Sequence, residues 1–179
     1  MYEKKLRSLK QIAMSLGVIG SAVLLCSLLM NCCSFTDSPA GKTTISMLDY
    51  IDVKIVVVSA LIGMSCVFSL WSFAVSQILV GTFIGLWAGF MCWDIKIRAA
   101  EVAGYVGARL GLGVYMFILS ACFILVSGIL FAFFETNCKV LGIDDGKPRM
   151  IRKAEIFSIV AMAFSIVFSC VVGALKIIR

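Results

Sequence analysis

Histidine is absent from the chain, and proline and charged residues are scarce: there are 2 prolines, and 15% of the residues are charged. Without imidazole, neither zinc sites with histidine ligands nor a Ser-His-acid triad can be assembled. The 8 cysteines include no C-x-x-C pair, which excludes the usual all-cysteine metal sites. We therefore predict no catalytic activity, no bound metal and no cofactor.

Long uncharged stretches are the most informative feature that the chain does have. One of them runs for 39 residues, from Ile55 to Trp93, and hydrophobic residues make up 61% of the composition. A helix needs about 20 mainly apolar residues to cross the hydrocarbon core of a bilayer. The sequence therefore predicts an all-α, multi-pass transmembrane helical bundle, with residues 1–179 forming a single integral membrane domain.

The uncharged stretch over 55–93 decides how many times the chain crosses the membrane. As one helix it would be about 58 Å long, nearly twice the thickness of a hydrocarbon core. A hairpin that turns near Ser72 to Gln77 fits better, although no glycine or proline marks the turn. The connecting segments are predicted to be loops, with a turn of interfacial helix within 45–53. We predict five spans, or four if 55–93 is one long helix, at about 12–30, 55–71, 78–93, 110–134 and 156–175.

Lysine and arginine gather at the ends of the apolar stretches, where they meet lipid headgroups and set orientation. With the N-terminus in the cytoplasm, nine of these residues lie inside and seven outside for either number of spans. We predict an integral plasma-membrane protein with a cytoplasmic N-terminus, whose partner is the lipid bilayer and not nucleic acid. The first span is longer than the roughly 7 to 15 apolar residues of a cleaved signal, so it is predicted to be retained.

Small residues at four-residue spacing predict close contacts between helices. The clearest set is Gly81, Gly85 and Gly89, which share one helix face and leave room for another backbone. In lipid the hydrophobic effect does not drive helices together, so small residues that permit van der Waals contact mark the interfaces. Such faces serve either packing within one chain or an interface with a second copy or a partner membrane subunit. The other sets are Ala13, Gly17 and Ser21 in the first span, and Ser165, Ser169 and Gly173 in the last.

Three residues are predicted to lie at membrane interfaces. Trp71 and Trp93 stand at the ends of the two hairpin legs and mark opposite interfaces, because indole rings prefer the headgroup region. Arg109 lies among glycines where the fourth span begins, and is predicted to anchor a flexible helix entry.

Cys32 and Cys33 stand side by side at the end of the first span. Neighbouring cysteines form a disulfide only with strain, so a redox role for this pair is an alternative and not the main prediction. With five spans, Cys138 faces the cytoplasm and stays reduced. With four spans it would share a side with the pair and could bridge to it.

The residues Gly111-Leu112-Gly113-Val114-Tyr115 begin a segment, about Leu110 to Phe134, that resembles the last helix of claudin-like and amastin-like tetraspan proteins. The claudin signature places Gly-Leu-Trp and two cysteines in a long extracellular loop. Here Gly85-Leu86-Trp87 lies inside an apolar stretch, and the first loop is shorter. The resemblance therefore does not assign the chain to a family.

The five predicted spans contain no ionisable residue apart from cysteine and tyrosine, which disfavours proton relays and ion-coupled transporters. We predict a small, non-enzymatic multi-pass membrane protein, a structural or accessory subunit that packs through glycine-rich helix faces. One alternative is a small permease or pore component lined by residues such as Gln77 and Thr82. The other is a membrane thiol oxidoreductase that uses Cys32 and Cys33.

Overall fold

The fold combines long helices with one small sheet. A computed structural model describes residues 2–37, 41–51, 55–101, 105–143 and 147–160. Within these ranges the protein is mostly helical, as predicted. The elements in chain order are α1 (Tyr2–Leu28), β1 (Asn31–Asp37), β2 (Gly41–Ser46), α2 (Met47–Ile51), α3 (Ile55–Leu70), α4 (Ala74–Glu101), β3 (Tyr105–Leu110), α5 (Leu112–Val140) and α6 (149–160).

Contacts between residues far apart in the chain fix the directions of α1, α3 and α5. The hydroxyl of Ser127 in α5 donates to the carbonyl oxygen of Ala13 in α1 at 2.7 Å. Further along α1, the Ser21 hydroxyl donates to that of Ser65 in α3 at 3.0 Å, and Gly17 lies beside Ser69. Since residue numbers rise along one helix as they fall along the other, α1 and α3 are antiparallel.

Helices α4 and α5 are also antiparallel, because Gly128 lies beside Ile78 and Gly85 beside Ala121. Helix α5 begins beside Ser27, near the end of α1, and its later residue Ser127 contacts Ala13. Helix α5 therefore runs opposite to α1 as well. The three strands therefore lie at one end of the bundle, and the turn between α3 and α4 lies at the other. We call the end that holds the three strands the sheet end, and the end that holds residues 71–73 the turn end.

The uncharged stretch over 55–93 is a helical hairpin. Helix α3 stops at Leu70, and the N–H groups of Ser72 and Phe73 donate to the carbonyl oxygens of Ser69 and Phe68 at 3.3 and 2.9 Å. This is the Schellman pattern, in which the residue after the helix takes a left-handed conformation that glycine usually supplies. Here Ser72 takes it, with φ of 58°. The turn is complete before Ala74, so it is tighter than the predicted one.

Three of the described helices are long and apolar enough to cross a membrane: Lys4–Leu28, Ala74–Ile97 and Leu112–Val140. Helix α3 contains a shorter apolar stretch, Val57–Leu70. These helices support a membrane location, whereas the count of five spans is not confirmed. The predicted last span over 156–175 lies outside the described residues beyond position 160.

The prediction of loops on both sides of the hairpin is wrong, because both segments contribute to a three-stranded antiparallel sheet. The strand order is β2-β1-β3, and Phe35 in the central strand pairs with Thr43 on one side and Ala108 on the other. Backbone bonds attach the sheet to the helices, from Met47 N–H to the Met30 carbonyl at 2.9 Å and from Gly111 N–H to the Cys32 carbonyl at 2.7 Å. Within 45–53, the predicted helical turn is present as α2.

Candidate functional site

The glycines of α4 differ in what they contact. A Cβ atom on Gly81 would lie 2.7 and 2.9 Å from Cγ and N of Leu125 in α5, which leaves no room for it. One on Gly85 would lie at an ordinary 3.9 Å from the Cβ of Ala121. One on Gly89 would meet no atom of the described chain within 4 Å. Of the predicted face, Gly81 and Gly85 therefore lie against α5, and Gly89 does not.

The small residues predicted in α1 are all buried. Ala13 is fully covered, and a Cβ on Gly17 would lie 2.0 Å from the Ser69 hydroxyl and 2.8 Å from that of Ser127. Ser21 donates to the Gly17 carbonyl at 2.9 Å as well as to α3. This face brings α3 and α5 onto α1 together. The third predicted set, Ser165, Ser169 and Gly173, lies outside the described residues.

Gly20 and Gly128 also make tight contacts between helices, and these contacts were not predicted. A Cβ on Gly20 would lie 2.8 Å from the Ile124 side chain in α5, and one on Gly128 would lie 2.8 Å from the backbone nitrogen of Ile78 in α4. The signal for Gly128 is a seven-residue spacing in α5, where Ala121 also faces α4. A search restricted to four-residue spacing misses it.

A polar cluster is buried where α1, α3 and α4 meet. The amide nitrogen of Gln77, which is fully buried, donates to the Ser69 hydroxyl at 2.8 Å and more weakly to that of Ser65 at 3.4 Å. Ser65 also receives the bond from Ser21. The Gln77 carbonyl oxygen has no hydrogen-bond partner among the described residues. These groups are neutral, and they join three helices through the apolar interior.

The predicted interfacial residues occupy different settings. Trp71 and Trp93 are 48% and 67% exposed, at the turn end and towards the sheet end, as the hairpin requires. Arg109 is exposed as well, but it lies in β3, where its backbone pairs with Ser34. The predicted flexible helix entry is therefore wrong, because this segment is held by strand pairing, whereas the role of Arg109 as an interfacial anchor stays a prediction.

The adjacent cysteines Cys32 and Cys33 lie at the opposite end of the bundle from Cys138. Cys32 and Cys33 are buried free thiols in β1, and Cys138 packs with Leu6 and Phe134 near the turn end. Burial, assisted by the neighbouring Cys33, raises the pKa of the Cys32 thiol from 9.0 to about 12. Burial also raises the pKa of Cys33. Because the thiolate is the reactive form, both cysteines are poorly placed for exchange chemistry.

A cleft lies at the sheet end between α2 and α4. Its volume is about 400 Å³, and Asp49 and Tyr50 line one side while Trp87, Phe90 and Asp94 line the other. The Tyr50 hydroxyl donates to Asp94 Oδ2 at 2.5 Å and so links the two helices. The Ser46 hydroxyl donates to Asp49 Oδ2 at 2.6 Å and caps α2 by accepting from the Asp49 N–H at 3.1 Å.

An ion cluster holds the turn end together. The Lys147 ammonium contacts Glu135 of α5 and Glu155 of α6, the latter at 3.2 Å, and lies 5.7 Å from the centre of the Phe73 ring. The Lys147 side chain is only 5% exposed. A bond of 2.7 Å between the hydroxyls of Ser76 and Ser158 joins α4 to α6 nearby.

Comparison with known proteins gives no match to a protein family, a curated protein or a solved structure. The resemblance of 110–134 to claudin-like and amastin-like proteins thus gains no support. In the part of the chain that the structure describes, no group of three or more cysteine, aspartate or glutamate residues is placed to hold a metal ion.

Proposed function

We propose that this chain is a non-enzymatic, multi-pass membrane protein with a structural or accessory role. The observation that supports this most directly is the tight packing of α1, α3, α4 and α5 at small residues, above all at Gly17 and Gly81. Such contacts stabilise a rigid bundle in lipid, where close approach of helices replaces the hydrophobic effect. The sheet then joins the connecting segments of that bundle into one platform.

We propose five spans with the N-terminus in the cytoplasm. The helices α1, α3, α4 and α5 alternate in direction, and the contacts of Lys147 and Ser158 place the start of α6 at the turn end. An apolar run over 156–175 that starts there would lead back to the sheet end. Helix α3, at about 24 Å, is shorter than a hydrocarbon core, a mismatch that local thinning of the bilayer or tilt of its neighbours accommodates.

A matched pair of glycine variants tests the accessory role. We expect Gly81→Leu to disrupt the bundle itself, because no space exists beside Leu125. Gly89→Leu keeps the bundle intact, because that position is open, and lowers recovery of a second copy or a partner subunit from native membranes. Partner recovery and oligomeric state that match those of the natural chain in Gly89→Leu would count against an interface at this position.

The permease or pore alternative has one observation in its favour, the buried polar cluster around Gln77. Amide and hydroxyl groups inside an otherwise apolar bundle could line a path for a neutral solute. Flux into liposomes that contain the purified protein separates the two functions. An accessory protein moves nothing, whereas a permease loses its flux in Gln77→Leu.

The thiol oxidoreductase alternative is the least supported of the three. Both thiols of the Cys32-Cys33 pair are buried, with raised pKa values that keep them protonated at neutral pH. Thiol exchange activity that survives a Cys32→Ser, Cys33→Ser double variant would eliminate this role.

A further inference from the structure

The three-stranded sheet has two chemically different faces. In an antiparallel sheet, paired residues lie on the same face, and successive residues of a strand alternate between the faces. Cys33 and Ile45 form a pair that packs on the apolar core. The next residue of β1, Ser34, pairs with Thr44 on one side and with Arg109 on the other, and both partners are exposed. The face turned away from the core therefore carries two hydroxyls and a guanidinium side by side, which we call the outer row.

A cavity of about 370 Å³ adjoins the outer row, where the end of α1 meets the start of α5. Ser34, Thr44 and Asn31 supply neutral polar groups to its lining. Leu29 and Leu112, which are 78% and 60% exposed, supply apolar surface. None of the described residues that line the cavity is acidic. The cavity therefore has a polar side and an apolar side, as an amphipathic ligand requires, and its volume is within the range of small-molecule pockets.

The charge beside the cavity is positive. The Arg109 guanidinium has no ion pair or hydrogen bond with any residue in the described part of the chain. The positive end of the α5 helix dipole has the same sign, and it reaches the cavity at Gly111 and Leu112. A guanidinium with hydroxyl groups beside it is a favourable set of donors for the oxygens of a phosphate. The lining offers no carboxylate to an ammonium group, so an anion without a cationic group is favoured.

The cavity also lies at the depth of lipid headgroups. Two of the helices that are long enough to cross a membrane meet there, since Lys4–Leu28 ends one residue before Leu29, and Leu112–Val140 begins with a residue of the lining. The hydrocarbon core gives way to headgroups where spanning helices end. A phospholipid can therefore place its phosphate beside the outer row while its acyl chains stay against the two leucines.

We propose that this cavity binds the headgroup of an anionic phospholipid whose phosphodiester carries its only charge, as in phosphatidylglycerol. Arg109 supplies the opposite charge, the hydroxyls of Ser34 and Thr44 donate to phosphate oxygens, and Asn31 bonds to the hydroxyls of the headgroup. The proposal rests on the membrane location of the chain, and it holds whether the protein is an accessory subunit or a pore.

The test uses the full chain purified in a maltoside detergent and titrated by calorimetry at constant ionic strength. The probes are dihexanoylphosphatidylglycerol, dihexanoylphosphatidylcholine and glycerophosphoglycerol, which is the first headgroup without acyl chains. We expect saturable binding of the first probe and at least about tenfold weaker binding of the other two. The second probe brings a cation that finds no carboxylate in the lining, and the third lacks the chains that contact the leucines. Equally tight binding of glycerophosphoglycerol would show that the ligand is a free phosphate ester and not a lipid.

Three variants and one control complete the experiment. Arg109→Gln removes the charge at an exposed position and keeps the backbone pairing of β3, and we expect it to weaken binding of dihexanoylphosphatidylglycerol about tenfold. Arg109→Lys keeps the charge and is expected to lose less. Thr44→Val removes one hydroxyl, suits a strand and is expected to weaken binding about threefold. Lys139→Gln removes the same charge from an exposed position near the turn end and is expected to change nothing.

Four results would each overturn the proposal. They are no saturable binding of dihexanoylphosphatidylglycerol by the natural chain, equal binding of the choline lipid, equal binding of the free headgroup, and binding in Arg109→Gln that matches binding in Lys139→Gln. The last result would mean that the net charge of the protein, and not the outer row, attracts the lipid.

Discussion

Phe73 closes the α3–α4 turn on Phe68: its N–H donates to the Phe68 carbonyl at 2.9 Å, and the two ring centres lie 5.7 Å apart. A contact between these two positions commonly accompanies the Schellman motif. Between them, Ser72 holds the left-handed conformation that the motif requires. The apolar pair thus compensates for a turn without glycine, and it divides one uncharged stretch into two antiparallel helices.

Ser72→Gly is expected to stabilise the protein. Its φ of 58° strains a residue that has a Cβ atom, by about 1 kcal/mol, and glycine adopts the conformation without that strain. The measurement is the free energy of unfolding in mixed detergent micelles. Ser59→Gly, at an exposed position within α3, is the matched control and should destabilise by about 0.5 kcal/mol through helix propensity alone. Equal losses in both variants would contradict a left-handed Ser72.

Alanine substitutions at the glycines of α3 and α4 are expected to distinguish closely packed glycines from glycines with open space beside them. Gly81→Ala places a methyl group against the backbone of Leu125 and should destabilise by about 1–3 kcal/mol. Gly63→Ala and Gly89→Ala meet nothing in the described chain and should be neutral, or stabilising through helix propensity by up to about 1 kcal/mol. Unfolding of the purified variants measures the difference, and a neutral Gly81→Ala would show that α4 and α5 are not in contact there.

Much of this fold could be predicted from composition and helix length, but the sheet could not. The run over 55–93 is too long for one crossing, and that physical limit alone indicates the hairpin. The sheet instead pairs β1 with β3, whose residues Phe35 and Ala108 are far apart in the chain, and no local pattern records such a partner. Short strands rich in threonine and glycine also look like loops when read singly.

The candidate sites also include one part that could be predicted from the sequence and one part that could not. The face of Gly81 and Gly85 follows from spacing within one helix. The cleft needs Tyr50 beside Asp94, which only the packing of α2 on α4 brings about. Gly89 continues the spacing of Gly81 and Gly85, but a Cβ atom built on it meets no atom of the described chain within 4 Å. Spacing therefore specifies a helix face without specifying how far along that face the neighbouring helix stays in close contact.

The Cys32 thiol is expected to react slowly until the solution is strongly alkaline. Its pKa of about 12, against an ordinary 9.0, reduces the thiolate fraction at pH 8 about a thousandfold. Because the pKa is higher in the folded state, this group's stabilising effect is complete below pH 9 and is lost as the pH rises from about 9 towards 12. Alkylation of a variant that keeps Cys32 as its single cysteine measures the pH dependence, with urea-unfolded protein as the control. A midpoint near 9 in the folded state would contradict a buried thiol.

Lys147 is expected to be the most important charged residue for the stability of the turn end. Lys147→Met leaves the carboxylates of Glu135 and Glu155 near each other, both largely buried, and should destabilise by about 3 kcal/mol or more. Lys153→Met, which changes an exposed lysine on α6, is the matched control and should stay within about 0.5 kcal/mol of the natural chain. Adding Glu135→Gln to Lys147→Met should recover part of the loss, because one unpaired charge is removed. The measurement is the free energy of unfolding of each variant at neutral pH. A double variant less stable than Lys147→Met would mean that Glu135 has a stabilising role independent of the lysine.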